Sequence, residues 1–137
     1  MHSQISDVEL QVGDHLDAVA SPAAGAVATF VGRVRDHDPS VTGTVTGLEY
    51  SAHPDAAEVL DRLARAAAAR SGVIAVAVSH RIGTLQVGET AIVAAVSTAH
   101  RRLAFEVCAD LVEQVKAELP VWKRELLADG SALWIGL

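Results

Sequence analysis

Apolar residues recur along this chain with two different spacings, and each spacing predicts one kind of secondary structure. In residues 54–70 and 99–119 they return every three or four positions, which places them on one face of a helix. Residues 25–35, 45–51 and 73–80 are shorter and rich in Val, Ile and Thr, which is typical of strands. The apolar positions of the two helices are Ala56, Leu60, Leu63, Ala64 and Ala67 in the first, and Leu103, Val107, Leu111 and Val115 in the second.

Turn signals divide the rest of the chain into shorter elements. Gly32 lies inside a predicted strand and indicates a bulge or a close backbone approach. Asp129 and Gly130 separate two short strands and predict a hairpin. Residues 83–88 read as a turn-rich connection, and residues 36–44 read as a loop. The other predicted elements are a weak strand at 5–10, a short helix at 12–19, a buried strand at 90–96 and the hairpin strands at 121–127 and 132–135. We therefore expect an α+β domain with more strand than helix.

Length, charge and cysteine content narrow the functional classes. The chain has 137 residues, the length of one domain, so we expect a single unit over residues 1–137. A formal net charge of −6 argues against a general nucleic-acid or anionic-membrane surface. Cys108 is the only cysteine, which excludes an internal disulfide and a metal site made of cysteines alone. Residues 1–4 lack the features of a signal peptide, and no apolar run could span a bilayer, so we expect a soluble cytoplasmic protein.

Two lysines flank the end of the long helix. Ser97 and Thr98 offer N-cap chemistry at its start, and Pro120 ends it because proline lacks the N–H and clashes with the preceding turn. Lys116 lies near this end, and Lys123 lies on the extended segment that follows. Two lysines at one site suit an anionic substrate, and a desolvated lysine can act as a base or nucleophile.

Further cations lie at other element ends. Arg33 and Arg35 are two positions apart on a predicted strand and share a face. His100 and Arg101 fall in the first turn of the long helix, where free N–H groups favour an anion. That turn is roughly 25–30 Å from the lysine end at about 1.5 Å per residue. The two ends of the helix are therefore too far apart in one chain to contact the same small ligand. A symmetric dimer could bring them together.

Each of these residues also has a structural interpretation. Lys116 could extend its stem along the apolar stripe at the helix C-terminus, although its place beside Val112 and Leu119 favours a partly buried ammonium. Lys123 could stack on Trp122. The remaining structural interpretations are a solvated surface for Arg33, Arg35 and His100, and an ion pair for Glu125.

Other chemistry finds little support. Residues 36–38, Asp-His-Asp, resemble a metal triplet, but adjacent loop residues rarely close a site, so we expect no metal. His100 and Cys108 are about 12 Å apart in helical rise, too far for a Cys–His pair. Phosphate-binding and dinucleotide motifs do not occur, so no nucleotide cofactor is expected.

Five blocks of sequence, in order over nearly the whole chain, resemble the catalytic (large) subunit of molybdopterin synthase. The most specific are Pro-x-Trp-Lys-Arg-Glu and Ala-His-Arg. The blocks are residues 25–37 (GAVATFVGRVRDH), 48–50 (LEY) with the helix after them, 80–88 (HRIGTLQVG), 97–105 (STAHRRLAF) and 116–125 (KAELPVWKRE).

The resemblance implies an α/β-hammerhead-type fold with an additional antiparallel β-sheet. It implies conversion of cyclic pyranopterin monophosphate into molybdopterin, with sulfur delivered by a thiocarboxylate on the C-terminal glycine of a small ubiquitin-like partner subunit. Two large subunits would form a central homodimer within a heterotetramer, and no metal or nucleotide cofactor would be consumed. The active site would borrow residues across the dimer.

Individual residues inherit roles from this resemblance. Lys116 and Lys123 match the catalytic lysines, and we expect partial burial and Arg124 to lower the pKa of Lys123. The predicted substrate-binding residues are Arg33, Val34, Arg35, His100, Arg101, Lys116, Lys123, Arg124 and Glu125. The chain ends soon after Trp134, and residues 38–44 are atypical of the family. The alternatives are a non-catalytic paralogue that only binds the small subunit or a pterin, and a structural homodimeric domain.

Overall fold

The computed structural model describes residues 1–39 and 41–136. Within that part the chain forms three helices and eight strands, which confirms the predicted α+β class. In chain order the elements are β1 (His2–Ser6), α1 (Val12–Ala18), β2 (Ala26–Arg33), β3 (Val45–Ala52), α2 (Ala56–Ala68), β4 (Val73–Arg81), β5 (Gly83–Gln86), β6 (Thr90–Thr98), α3 (Arg101–Glu118), β7 (Val121–Leu127) and β8 (Ala132–Gly136).

The first sheet has the order β1-β4-β6-β2 and is antiparallel except for the β1–β4 pair. Helices α2 and α3 cover one face, where Val76, Val78 and Val96 join the main core. On the other face Ala77 and Ala95 pack with Val19, next to α1. Because both faces of β4 and β6 are covered, these strands carry nearly continuous apolar runs.

The second sheet, β5-β3-β7-β8, is wholly antiparallel. Its inner side chains Leu48, Leu85 and Val121 join the same core as the first sheet. β7 pairs with both β3 and β8, so it lies inside the sheet, and its alternate side chains face opposite sides. The side chains on one face of β7 therefore point toward the first sheet, and residues of both sheets line the opening between them.

Several predicted boundaries differ from those observed. The connection at 83–88 contains β5, which is too short for periodicity to reveal and which pairs with β3. The first strand begins at His2, before the predicted start, because it pairs in parallel with β4. Ser97 and Thr98 do not cap α3. They continue β6, and His100 is the N-cap residue, without a side-chain cap.

The bulge expected at Gly32 is confirmed. The pairing of β2 with β6 shifts register between Gly32 and Arg33. A Cβ atom at position 32 would lie 2.5 Å from Cγ2 of Ile92, so the strands can approach here only because the residue is glycine. Beyond Arg33 the chain leaves the strand, and Arg35 follows outside it. Arg33 and Arg35 therefore do not share a strand face, contrary to the prediction.

Candidate active site

A cleft of about 440 Å³ opens between the two sheets and the end of α3. Its walls come from the bulged end of β2 and the segment after it, from β3, β4, β6 and β7, and from the last turn of α3. The predicted site residues that line it are Arg33, Val34, Arg35, Lys116, Lys123 and Glu125. Segments far apart in sequence thus bring four cations and one carboxyl group to a single opening.

The β2 side of the cleft is fixed by backbone hydrogen bonds. The Val34 amide donates to the carbonyl of Glu89 at 2.9 Å, and the Gly88 amide donates to the carbonyl of Val34 at 2.7 Å. The guanidinium of Arg33 donates from Nε to the Gly88 carbonyl at 3.1 Å. Val34 itself is buried, whereas Arg33 and Arg35 are exposed. Val34 therefore anchors a segment that carries two exposed guanidinium groups at the cleft.

Lys116 lies in the last turn of α3, close to where the helix ends before Pro120. Its side chain is exposed, so the prediction of a partly buried ammonium beside Val112 is wrong. In the described part of the chain no carboxylate forms an ion pair with Lys116. This ammonium is available to an incoming anion.

Lys123 lies deeper in the cleft and has two acidic neighbours. Its Nζ is 3.4 Å from Oδ2 of Asp38 and 3.5 Å from Oε1 of Glu125. The Lys123 side chain is 21% exposed, whereas that of Glu125 is 2% exposed. Charge-assisted N–H···O bonds are usually about 2.7–2.9 Å long, so both contacts are loose. The ammonium is held near two carboxyl groups without a close bond to either.

The carboxyl group of Glu125 is strongly affected by its surroundings. Burial raises its pKa, and hydrogen bonding with Asp38 raises it further, while the charge of Lys123 acts in the opposite direction. Tyr50 stands opposite Lys123 across the β3–β7 pair. Burial, together with the negative charge of Glu125, raises the pKa of Tyr50 to about 12. Perturbed titratable groups gathered in a cleft are typical of functional sites.

Arg124 lies on the other face of β7. Its Nη2 is 2.8 Å from Oε2 of Glu49, and its guanidinium lies 5.5 Å from the centre of the Trp134 ring. Among the described residues this cation–π contact joins Arg124 to Trp134, and none is found between Lys123 and Trp122. The charged groups beside the Lys123 ammonium are carboxyl groups, not the Arg124 guanidinium that we expected.

His100 and Arg101 lie at the opposite end of α3, exposed and outside the cleft. The helix has 18 residues, which correspond to about 27 Å of rise. A single chain thus separates these two residues from Lys116, as the spacing predicts.

Sequence reasoning missed four polar residues of the cleft: His37, Asp38, Tyr50 and His80. Asp38 was noticed only as part of a metal triplet, and nothing in its sequence context indicates Lys123, which is 85 positions away. His80 had a visible signal, because it occupies the position after Val76 and Val78 on the core face of β4. A polar residue in such an apolar series is unusual.

Residues 1–39 and 41–136 contain no group of three or more His, Cys, Asp or Glu side chains arranged to hold a metal ion. Over the same residues, no helix has the length and apolar character needed to cross a membrane.

Comparisons with known proteins agree with this architecture. The sequence model of the MoaE protein family matches residues 5–118. The molybdopterin synthase catalytic subunit of Thermoplasma volcanium is 36% identical over 132 residues, covering 96% of this chain and 95% of the relative. A crystal structure of molybdopterin synthase from Staphylococcus aureus superposes with a TM-score of 0.87 at 30% identity, covering 97% of this chain and 96% of that chain.

A more distant solved structure shares the fold. It is a complex of subunits 1 and 2 of the molybdopterin-converting factor from Helicobacter pylori, with a TM-score of 0.77 at 21% identity, covering 96% of this chain and 88% of that one. The family match spans most of the chain, and the Thermoplasma relative is similar over nearly its full length. The chain therefore belongs to the MoaE family, the catalytic (large) subunits of molybdopterin synthase.

Proposed function

We propose that this chain transfers sulfur from the C-terminal thiocarboxylate of a small ubiquitin-like partner subunit to cyclic pyranopterin monophosphate, forming the dithiolene of molybdopterin. The observation that carries the proposal is that Lys116 and Lys123 line one cleft together with Arg33 and Arg35. Both reactants are anions, and an acidic protein with a local group of cations selects for them. The proposed setting is the cytoplasm.

The arginines suit the phosphate of the pterin. Arg33 and Arg35 are exposed at the rim, and guanidinium groups bind phosphate oxygens through two parallel hydrogen bonds. Opening the cyclic phosphate develops further negative charge, and fixed donors stabilise such charge in the transition state. Arg35 is the proposed phosphate ligand of this chain, with Arg33 beside it.

The lysines suit the thiocarboxylate and the proton transfers. A thiocarboxylate is already a good nucleophile, so the protein needs chiefly to position it. Lys116, which is exposed, is proposed to meet the incoming tail, and Lys123, which is deeper, is proposed as the base or transient covalent anchor. Asp38 and Glu125 beside Lys123 offer sites to which a proton can pass.

We propose that a homodimer completes the site, with His100 and Arg101 of one chain joining the lysine end of another. The length of α3 supports this arrangement because it separates the two groups within one chain. The small partner subunit would bind each end of the dimer, and the Helicobacter complex of subunits 1 and 2 is a precedent in a protein of the same fold.

A single-turnover assay tests the proposed reaction. The full chain is mixed with thiocarboxylated partner subunit and cyclic pyranopterin monophosphate, and molybdopterin is measured. The same partner ending in an ordinary carboxylate is the matched control and should give no product. A chain that binds both reactants without forming product would be a docking module instead.

Mixed dimers test the shared site. Arg101→Ala chains are combined with Lys123→Ala chains, because a mixed dimer then retains one complete site. We expect each pure variant to be inactive and the mixture to recover part of the wild-type rate. Failure of every mixture to recover activity would exclude the shared site without excluding the reaction.

A further inference from the structure

The floor of the cleft differs in character from its rim. The rim carries Arg33, Arg35 and Lys116, whereas the floor contains Tyr50 and His80 among apolar side chains. Phe30, Leu48, Ile92 and Val115 supply that apolar lining. A cleft of this kind fits a ligand with one anionic end and one uncharged end that carries polar groups.

The ring of His80 has a defined tautomer. Its Nδ1 lies 2.7 Å from the carbonyl oxygen of Arg81. A carbonyl oxygen can only accept, so Nδ1 carries the hydrogen and donates it. Burial lowers the pKa of His80, which keeps the ring neutral at neutral pH. In a neutral ring with the proton on Nδ1, Nε2 is a hydrogen-bond acceptor.

No described residue donates a hydrogen bond to this Nε2. The atom is also not one of the fully buried polar atoms that lack a partner in the described chain, so it keeps some accessible surface. The edge-on contact with Tyr50, with ring centres 5.1 Å apart, holds the imidazole plane in place. His80 therefore presents a fixed, neutral acceptor in the floor of the cleft.

His15, the other buried histidine, shows the contrast. Its Nδ1 lies 2.7 Å from the Gln11 carbonyl, and its Nε2 lies 2.7 Å from Oγ of Ser79. Both ring nitrogens of His15 are thus used within the protein, as a purely structural histidine requires. His80 uses one nitrogen for structure and keeps the other for a ligand.

We propose that His80 is a further substrate-binding residue of this cleft, whose Nε2 accepts a hydrogen bond from an N–H or O–H group on the uncharged part of the pterin substrate. The identity of the ligand rests on the proposed function. The arginine rim binds the phosphate end, and His80 selects the end that carries neutral donors.

Direct binding of cyclic pyranopterin monophosphate to the full chain tests this inference. His80→Asn keeps an amide near the position of Nδ1, where it can still donate to the Arg81 carbonyl, and removes the acceptor. We expect the Kd to rise roughly tenfold, as loss of one ligand hydrogen bond predicts. His80→Gln can place an amide oxygen near the position of Nε2, so we expect it to bind more tightly than His80→Asn.

His15→Asn is the matched control, because it makes the same substitution at the histidine whose partners are all internal. It should lower the free energy of unfolding and leave the Kd within twofold of wild type. Inorganic phosphate is a second probe, since it offers no neutral pterin donor. Its competition constant should be the same for His80→Asn and wild type.

Each outcome is informative. Wild-type affinity in His80→Asn would overturn the inference. Equal weakening in His80→Asn and His80→Gln, in proportion to lost stability, would assign His80 a structural role only. If the wild-type chain itself failed to bind the pterin, the proposed function would fall first, so the two failures are distinguishable.

Discussion

Each of the two faces of β7 places a cation near carboxyl groups, but in different settings. On the outer face Arg124 pairs with Glu49 at 2.8 Å, and both side chains are about one-third exposed. On the cleft face Lys123 stands 3.4 Å from Asp38 and 3.5 Å from Glu125, whose side chain is 2% exposed. The outer pair has a close bond, whereas Lys123 has no close bond to the buried carboxyl group of Glu125.

A binding site and a structural ion pair differ in how closely their charged groups are paired. A close pair that is partly exposed contributes little, on the order of 0–1 kcal/mol. A buried carboxyl group beside a loosely held ammonium keeps part of the desolvation penalty of burial, and its raised pKa is the sign of that penalty. A tighter internal pair would stabilise the fold better, so this arrangement supports the proposal that the cleft binds a ligand.

Lys123→Arg, on the cleft face of β7, should reduce activity more than any other change considered. Arginine keeps the positive charge near Asp38 and Glu125 but does not release its proton near neutral pH. We expect single-turnover sulfur transfer to fall by about 10²-fold or more, the range for loss of a general base, while pterin binding is retained. Rapid-quench measurement of molybdopterin checks the rate, and calorimetry checks binding. Retention of most of the turnover would exclude the base role.

Lys116→Ala should have the next largest effect. The side chain is exposed and unpaired among the described residues, so its loss should cost less than about 1 kcal/mol of stability, from the helix dipole. We expect sulfur transfer to slow by roughly tenfold, because the incoming anion loses a cation. Formation of molybdopterin is followed in the single-turnover assay. A normal rate would return Lys116 to a purely structural role at the helix end.

These two predictions rest on residues that sequence reasoning found, and the reason is local. Pro120 ends α3 and forces the chain into β7, so the approach of Lys116 and Lys123 to one cleft follows from neighbouring segments. The main helices and most strands were likewise predictable, because amphipathic periodicity and glycine turns are local signals. β5 was not, since four residues acquire strand character only by pairing with β3.

The partners of Lys123 could not be predicted. Asp38 reaches it from a segment 85 positions away, and strand alternation alone does not show that Arg124 turns toward Glu49 and away from the cleft. Burial of Glu125 depends on both sheets closing over it, which no local pattern reveals. Long-range packing decides the electrostatics of this site, while local sequence decides which residues arrive there.

Glu125→Gln should change how the free energy of unfolding depends on pH. The folded state raises the pKa of this carboxyl above its ordinary value of 4.5, so the folded chain binds the proton more tightly than the unfolded chain. Unfolding then releases a proton between these two values, and wild-type stability falls as the pH rises through that window. Glutamine does not titrate there.

We therefore expect Glu125→Gln to gain stability relative to wild type as the pH rises above the ordinary value, while its turnover falls. Urea unfolding at a series of pH values measures the stability difference. A difference that stays constant with pH would show that the carboxyl carries no penalty, and the contrast between the two faces would be lost.

Glu49→Gln should have the smallest effect. It removes the outer ion pair but leaves Arg124 stacked on Trp134, so the free energy of unfolding should fall by about 0.5 kcal/mol, and less at high salt. Turnover should stay within twofold of wild type, because Glu49 is not part of the cleft lining. Urea unfolding at two salt concentrations and the single-turnover assay measure both. A large loss of turnover would mean that Glu49 positions Arg124 to bind substrate. Loose pairing would then not be enough to distinguish a binding site from a structural ion pair.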